Sequence, residues 1–373
     1  MKRTIVENES DEPQPLTRED LFSSATLIAI LYAIFLALVF NYFGLFKADA
    51  QAVSTGQCGV MGNGSDDTKD LQSALDRCAG IQLEAKTYLL TSTLRITHAS
   101  VVTGTAGKTA FVFRSPLPLE SGIDISAPEN VTLSGIEMSG EGTSLAHGIK
   151  IDGGKGFQID HVWIHGIHGS RPLASAGILM GKVSDVKIQN STFTDIGIPG
   201  RVNFAIENYY FQYSNHIFIE HNKFHDNQAN IVVGLFDVND SVASYNDIDQ
   251  GNVCIDPCKN NGYGILFYLA DHSKGKLTGD TASHNRIRNT AGSGIYFAGV
   301  DHAESEENDI QQSTQKMSDV TLPAAAIALN GTNIGRIRNN VINGDAKGGI
   351  CPANSTNLVI EGNSVSHIGK CHF

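Results

Sequence analysis

The segment Gly264-Ile-Leu-Phe-Tyr268 carries the pattern that decides the fold, and variants of it, such as Gly148-Ile-Lys-Ile-Asp152, return along the chain. A two-residue anchor, usually Gly-Ile, occurs nine times at intervals of 23 to 34 residues. The nine anchors are Gly122-Ile123, Gly148-Ile149, Gly177-Ile178, Ala205-Ile206, Asn230-Ile231, Gly264-Ile265, Gly294-Ile295, Ala326-Ile327 and Gly349-Ile350. A period of this size predicts stacked repeats that bury their apolar faces only against one another.

The residues after each anchor alternate as they do in a β-strand. Two positions past the anchor Ile the side chain is apolar in every repeat but one, where Asn208 stands. This is the pattern of a strand with one buried face, and the repeat is too short for a βαβ unit. The sequence therefore predicts an all-β protein, a right-handed single-stranded parallel β-helix.

A second strand closes most repeats, and in six of them an Asn stands two residues before an apolar residue. These asparagines are Asn222, Asn246, Asn285, Asn308, Asn340 and Asn363. Asn tolerates the left-handed bend between strands, and its amide can bond the Asn of the next rung. We therefore expect a structural ladder of stacked asparagines.

The segment from Gly62 to Cys78, followed by Ile81-Gln-Leu-Glu-Ala-Lys-Thr-Tyr-Leu-Leu, resembles the N-terminal cap of pectate-lyase-superfamily proteins. The resemblance covers nearly everything after residue 57 and implies a helix over about 68 to 78 that closes the open end of the stem. Asp66 or Asp67 would accept hydrogen bonds at its start. Leu71, Ala74, Leu75 and Cys78 would form its apolar face.

The resemblance implies a fold rather than a reaction, because this superfamily hosts lyases, hydrolases, epimerases and adhesins. Its polygalacturonase-type members carry paired aspartates ahead of the anchor strands, with Gly-His-Gly and Arg-x-Lys motifs. The corresponding positions here hold Asn203, Asn227, Asn261 and Ser293, and no Gly-His-Gly occurs. A polygalacturonase mechanism is therefore disfavoured.

An uncharged stretch between Asp20 and Lys47 is long enough to cross a hydrocarbon core of ~30 Å. Lys2, Arg3 and Arg18 precede it, which predicts a cytoplasmic N-terminus and a periplasmic or extracellular β-helix domain. The predicted organisation is a cytoplasmic tail (1–20), a transmembrane signal-anchor (21–46), a linker (47–57), a cap with the first rungs (58–120) and the β-helix (121–373). Ala48-Asp-Ala50 leaves open cleavage by a signal peptidase.

Six cysteines in an exported domain favour disulfide bonds over zinc ligation. Their local grouping suggests the pairs Cys58 with Cys78, Cys254 with Cys258 and Cys351 with Cys371. The net charge of −12 opposes binding to nucleic acid, and it also opposes binding to a polyuronate unless cations offset it.

Outward positions of the anchor strands supply the candidate site. The position after the anchor Ile holds Lys150, Glu207 and Tyr296, and two residues further along stand Asp152, Tyr209 and Tyr268. Aromatic faces stack on sugar rings, whereas carboxylates transfer protons. An ordinary solvated sheet face is the alternative.

The rung from Gly200 to Ala229 is richest in reactive side chains, and Asn208 breaks its inward apolar column. We expect Glu207, Arg201 and Tyr209 to be catalytic and Lys150, Asp152, Tyr210, Tyr268 and Tyr296 to bind substrate. Asp237, Asp271 and Asp301, six residues past their anchors, are either stacked calcium ligands or turn-capping residues. Calcium is the one cofactor that the sequence suggests.

The sequence thus predicts a membrane-anchored, extracytoplasmic protein that cleaves a polysaccharide along the anchor-strand face. In β-elimination, Arg201 or Tyr209 would be the base, and calcium or Lys150 would neutralise a uronate. In hydrolysis, Glu207 would be the acid. The alternative is a carbohydrate-binding or structural adhesin without chemistry.

Overall fold

A computed structural model describes residues 54–60, 62, 64–170, 174–198, 201–250, 262–311, 325–346, 348–368 and 371. Within these ranges the chain forms one α-helix, one short 3₁₀ helix and 34 strands. The helix α1 spans Thr68–Arg77 and the 3₁₀ helix spans His272–Lys274. An all-β architecture with a single capping helix is what the sequence predicts.

The strands are, in chain order, β1 (Ser54–Val60), β2 (Cys78–Leu83), β3 (Thr87–Leu90), β4 (Leu94–Ile96), β5 (Ser100–Thr103), β6 (Ala110–Phe113), β7 (Leu119–Ile125), β8 (Glu129–Ser134), β9 (Glu137–Ser139), β10 (Leu145–Asp160), β11 (Trp163–Ile167), β12 (Ser175–Gln189), β13 (Thr192–Ile196), β14 (Asn203–Asn208), β15 (Ser214–Glu220), β16 (Lys223–His225), β17 (Ile231–Phe236), β18 (Val238–Asn239), β19 (Val242–Ser244), β20 (Asp247–Asp249), β21 (Tyr263–Tyr268), β22 (Leu277–Thr278), β23 (Thr281–Ser283), β24 (Arg286–Arg288), β25 (Ile295–Ala298), β26 (Val300–Asp301), β27 (Ala303–Glu306), β28 (Asp309–Gln311), β29 (Ile327–Asn330), β30 (Asn333–Arg338), β31 (Val341–Ala346), β32 (Ile350–Ala353), β33 (Thr356–Glu361) and β34 (Ser364–Ile368).

Each strand pairs in parallel with its counterpart on the next rung. The anchor strands β7, β10, β12, β14, β17, β21, β25, β29 and β32 form one wall of a 21-stranded sheet, whose second wall is built from strands such as β8, β15 and β19. An 11-stranded sheet from β3 to β34 forms a further wall. The chain therefore coils around a closed stem, as the repeat predicts.

The core is a column of apolar side chains that stack from rung to rung. The rings of Phe267 and Phe297 are nearly parallel, with their centroids 5.2 Å apart, and Phe193 stacks on Phe224 at 4.9 Å. All four rings are fully buried. Stacking of like residues follows from the parallel register, because it places equivalent positions of successive rungs directly above one another.

The register confirms eight of the nine anchors and corrects the fifth. Ile123, Ile149, Ile178 and Ile206 are successive partners in the ladder, but the partner of Ile206 is Val233 rather than Ile231. Ile231 lies opposite Phe204 instead. The outward residue that follows Glu207 on the next rung is therefore Gly234, not Val232.

The asparagine ladder is confirmed. Asn222, Asn246 and Asn285 are buried, and the side-chain oxygen of each later Asn accepts bonds from the backbone N–H and the side-chain amide of the one before it. The same pair of bonds links the series through Asn308 and Asn340 to Asn363. These amides are structural, as expected.

Helix α1 covers the N-terminal end of the stem with the buried Leu71, Ala74 and Leu75. The side chain of Asp66 accepts a hydrogen bond from Thr68 N at 3.0 Å, at the start of the helix. Asp67 is the residue before the helix, but its side chain makes no capping hydrogen bond there. Instead its carboxylate accepts a bond from Leu89 N at 2.9 Å, so it joins the cap to β3.

Two of the three predicted disulfides are present, Cys58–Cys78 and Cys351–Cys371, with Cα–Cα distances of 6.2 and 5.6 Å. Cys254 and Cys258 lie outside the described residues, and so do the predicted tail and the predicted transmembrane span. Among the described residues, no helix is both long and apolar enough to span a membrane. The anchor therefore stays a prediction.

Candidate functional site

A cleft of about 480 Å³ opens on the outer face of the anchor-strand wall, between β7 and β14. Aromatic and aliphatic side chains form one part of its lining, among them Phe204, Tyr209, Tyr210 and Leu179. The polar part consists of Glu120, His147, Lys150, Asp152, Glu207 and Gln212. Convergent polar groups in an apolar depression are typical of a ligand site.

The parallel register explains why these polar groups meet. Lys150 lies opposite Leu179, which lies opposite Glu207, so all three occupy one outward column on successive rungs. Asp152 lies two residues further along β10, opposite Gly181, whose missing side chain makes room for the side chain of Gln212. Five of the predicted site residues therefore line one cleft, namely Lys150, Asp152, Glu207, Tyr209 and Tyr210.

Glu207 is the most perturbed group in the cleft. It is only 4% exposed, and this burial raises the pKa of its carboxyl group to about 8. A second apolar cluster, on the outside of the stem, contains the neighbouring rings of Phe204 and Phe236. The ring of Tyr210 packs against that of Phe236 at 3.9 Å. Glu207 is therefore a protonated acid at neutral pH.

His147 and Glu120 are site residues that the sequence reasoning missed. His147 is buried, its Nδ1 has no hydrogen-bond partner, and burial lowers its pKa to about 4, which leaves the ring neutral. Glu120 accepts a hydrogen bond from Lys150 Nζ at 2.8 Å, and this contact holds the pKa of the Glu120 carboxyl below its usual value. The signal in the sequence was a His directly before the anchor Gly148.

Tyr209 and Tyr210 form the aromatic side of the cleft. Tyr209 is about half exposed, and its backbone N–H donates to Met180 O, which fixes the turn after β14. Tyr210 is partly buried in the outer apolar cluster, and burial raises its pKa to about 12. Tyr210 is therefore a hydrogen-bond donor and a stacking surface rather than a base.

Three of the residues predicted to be catalytic or to bind substrate lie outside this cleft. Arg201 donates from Nη1 to Gly169 O at 3.1 Å, a contact that ties two turns together. Tyr296 is fully buried and stacks on Tyr263, and Tyr268 packs near Phe236 in the same outer cluster. The prediction that Tyr296 faces solvent in a groove is therefore wrong, because apolar packing covers its ring. Tyr268 is partly exposed, and its role as a binding residue stays a prediction.

The three aspartates proposed as calcium ligands do not form a stacked column. Asp301 lies opposite Thr278 in the register, not opposite Asp271. Asp237 is buried and accepts bonds from the backbone N–H groups of Phe211 and Asp271 among others, while Asp271 caps the 3₁₀ helix. These contacts match the turn-capping alternative. Within the described ranges, no three His, Cys, Asp or Glu side chains group as metal ligands.

Comparison with solved structures supports the fold. The matches include a protein of Geobacillus virus E2, ORF18 (14% identity, TM-score 0.55, covering 88% of this chain and 63% of the viral chain). They also include PfbA, a surface adhesin of Streptococcus pneumoniae (14% identity, TM-score 0.54, covering 83% of this chain and 91% of PfbA). A third is the GH136 lacto-N-biosidase from Eubacterium ramulus (10% identity, TM-score 0.55, covering 80% of this chain and 64% of the biosidase). The chain spans less than two thirds of the viral protein and of the biosidase.

At such low identity these neighbours establish a shared architecture only. A search of curated protein sequences returned no match. Two family models do match: one described as a right-handed beta helix region over residues 276–373, and one described as periplasmic copper-binding protein (NosD) over residues 102–321. The fold is therefore the right-handed, pectin-lyase-like parallel β-helix. Because the second model matches more than half of the sequence, the chain belongs to the NosD family.

Proposed function

We propose that this protein is an extracytoplasmic glycoside hydrolase that cleaves a polysaccharide in the cleft, with Glu207 as the general acid. The observation that carries the proposal is a buried carboxyl group, with a pKa of about 8, on the wall of an open cleft. Glycoside hydrolysis needs a carboxylic acid that stays protonated at the working pH, so that it can protonate the leaving oxygen.

The second carboxylate of the reaction is assigned to Asp152. It lines the same cleft from β10, two rungs away from β14. Two rungs correspond to about 10 Å between the backbones of β10 and β14, which is nearer to the ~6.5–9.5 Å between the carboxyl groups of inverting enzymes than to the ~5 Å of retaining ones. Asp152 would then activate a water molecule while Glu207 protonates the leaving group, which is the arrangement of an inverting enzyme.

The charges in the cleft favour a substrate without carboxylates. Lys150 is the one cation among the described residues of the lining and is paired with Glu120, so the carboxylate of Asp152 leaves an excess of negative charge. A uronate chain would meet net negative charge there. We therefore assign a neutral polysaccharide, whose rings would stack on Tyr209 and Tyr210.

β-Elimination has weaker support from the contacts. It requires a base near the sugar ring and a cation that neutralises a uronate carboxylate. Arg201 is engaged with Gly169 O and lies outside the cleft lining, and the charge of Lys150 is matched by Glu120. A carbohydrate-binding adhesin without chemistry is the remaining alternative, and the experiment below separates it from a hydrolase.

The family is named for copper binding, but the residues that the structure describes do not fit a copper site. Within the described ranges no three His, Cys, Asp or Glu side chains are arranged so that they could hold a metal ion, and four cysteines are joined in disulfides. Met138 and Met180 are almost fully buried in the stem core. We derive no step of the reaction through copper.

An extracytoplasmic location is consistent with the two disulfides, which persist in oxidising compartments, and with the word periplasmic in the family description. We also propose that the uncharged stretch between Asp20 and Lys47 anchors the chain in a membrane. Retention of the full chain on membranes after a high-salt wash would support this. Recovery of a mature protein that begins at Gln51 would contradict it.

The proposed reaction is tested by incubating the full chain with neutral and acidic polysaccharides while measuring reducing ends and the ultraviolet absorbance of unsaturated uronates. We expect new reducing ends on a neutral polysaccharide without any rise in absorbance. A rise in absorbance would identify a lyase instead. Binding without new reducing ends on any substrate would identify an adhesin and overturn the proposal.

A further inference from the structure

Trp163 lies on the 11-stranded sheet, away from the wall that carries the cleft. It is the single tryptophan of the chain, and 42% of its surface is exposed. In the register it stands between Glu137 on the preceding rung and Thr192 on the following rung. A lone exposed apolar residue is common on protein surfaces and by itself indicates nothing.

What distinguishes Trp163 is how firmly its ring is held. The indole Nε1 donates to Thr194 Oγ1 at 3.0 Å, across one rung. One face of the ring stacks on His165, with centroids 4.4 Å apart and planes 28° apart. His165 is itself held by Glu137 at 3.0 Å and lies 3.5 Å from Glu141. The indole is therefore fixed before any ligand arrives.

A fixed aromatic ring with one open face is a surface on which the C–H face of a pyranose stacks. Because the ring is already immobilised, binding does not have to order it. The carboxylates of Glu137 and Glu141 lie against the ring of His165, on which the indole stacks, and Glu137 is the register partner of Trp163. Both carboxylates are partly exposed, so they can accept hydrogen bonds from sugar hydroxyls. Their negative charge disfavours an acidic sugar.

From these contacts we propose that Trp163, His165, Glu137 and Glu141 form a second carbohydrate-binding site, for neutral pyranose chains, on the 11-stranded sheet. This Trp163 platform is independent of the proposed reaction, because none of its residues lines the cleft. It would bind a glycan even in a protein without any catalytic activity.

The single tryptophan makes the site directly observable, because all tryptophan emission comes from Trp163. The full chain is titrated with dextran, galactomannan and xylan, as neutral probes, and with polygalacturonate. We expect a saturable shift of the emission with at least one neutral probe and none with polygalacturonate. Unchanged emission with all three neutral probes would overturn the proposal.

Affinity electrophoresis, with the neutral polysaccharide that shifts the emission of Trp163, supplies a second measurement. Trp163→Ala should weaken the affinity by about fivefold or more, as expected for the loss of one stacking contact. Tyr245→Ala is the matched control, because Tyr245 is an exposed ring of the stem that stacks between His221 and His284 instead of presenting a free face. Equal retardation of Trp163→Ala and the wild type would contradict the assignment.

Discussion

The asparagine ladder and the cleft both contain buried polar side chains, but these side chains differ in whether other protein groups satisfy their hydrogen bonds. In the ladder, each inner Asn both donates and accepts bonds, as Asn246 does toward Asn222 and Asn285. In the cleft, burial is the sole cause of the raised pKa of Glu207, and His147 Nδ1 has no partner. Polar groups that satisfy one another stabilise the stem, whereas polar groups left unsatisfied beside a cleft are available to a ligand.

The largest expected effect tests the cleft side of this comparison. Glu207→Gln preserves size but removes the acid, so turnover should fall by about 100-fold or more while glycan binding persists. The wild-type rate should fall as pH rises through about 8, because Glu207 then loses its proton. Initial rates of reducing-end release and binding isotherms measure both effects.

The free energy of unfolding of Glu207→Gln shows whether Glu207 is a catalytic acid or a structural residue. A raised folded-state pKa means that Glu207 supports the fold fully only at acidic pH, and this support is lost as pH rises toward about 8. At neutral pH, Glu207→Gln should therefore be at least as stable as the wild type. Glu129→Gln, at an exposed carboxylate outside the cleft, is the control. Full turnover in Glu207→Gln would remove Glu207 from the mechanism.

The second expected effect tests the ladder. Asn285 makes four side-chain bonds, to Asn246 N, Asn246 Nδ2, Ala243 O and Asn308 Oδ1. At about 1 kcal/mol for each bond, Asn285→Ala should lower the free energy of unfolding by roughly 2–4 kcal/mol. Denaturant titration measures this. The exposed Asn343→Ala should change stability by less than about 0.5 kcal/mol, and similar losses in both variants would argue against the ladder.

The smallest expected effect concerns Asp280. Its carboxyl group is partly satisfied, as in the ladder, and partly unsatisfied, as in the cleft. It is fully buried in the stem wall, where one oxygen accepts a bond from Ser241 N and the other has no partner. Burial raises its pKa well above 3.8, so the folded state favours the protonated form. Asp280→Asn should raise stability at neutral pH, by roughly 0.5–2 kcal/mol.

The stability gained in Asp280→Asn depends on pH. The raised folded-state pKa means that its contribution is fully present below the unfolded value of 3.8 and is lost as pH rises. The advantage of Asp280→Asn should therefore shrink as pH falls toward 3.8, as followed by thermal unfolding across pH. A variant that is less stable than the wild type at neutral pH would show that the carboxylate is ionised and satisfied in the fold.

The fold could be predicted from the sequence because stacking of the rungs requires both a regular repeat and inward apolar residues, and both are visible in the sequence. Eight of the nine anchors lie in the predicted register. It failed at Ile231, because Ile231 and Val233 both suit an inward position and only pairing with Ile206 decides between them. Tyr296 shows a different limit. Alternation predicts which face a side chain occupies, but not whether that face is covered by further packing.

The candidate site was predicted in part for the same reasons. Lys150, Asp152 and Glu207 follow from the outward columns, which parallel pairing maintains. His147 and Glu120 lie before the anchor, where the chain enters the strand and alternation gives no guidance. The raised pKa of Glu207 could not be read from the sequence either, since its cause is burial by neighbouring side chains.

The spacing of the ladder asparagines has a consequence for how this scaffold accepts change. The separation along the chain is 24 residues from Asn222 to Asn246, 39 from Asn246 to Asn285 and 23 from Asn285 to Asn308, yet the connecting N–H to Oδ1 distance stays between 2.9 and 3.0 Å. Longer loops can therefore connect successive rungs without displacing them, and each added residue costs little loop-closure entropy. The stem can carry inserted peptides of different lengths, such as grafted epitopes or recognition loops, while its rungs keep their register.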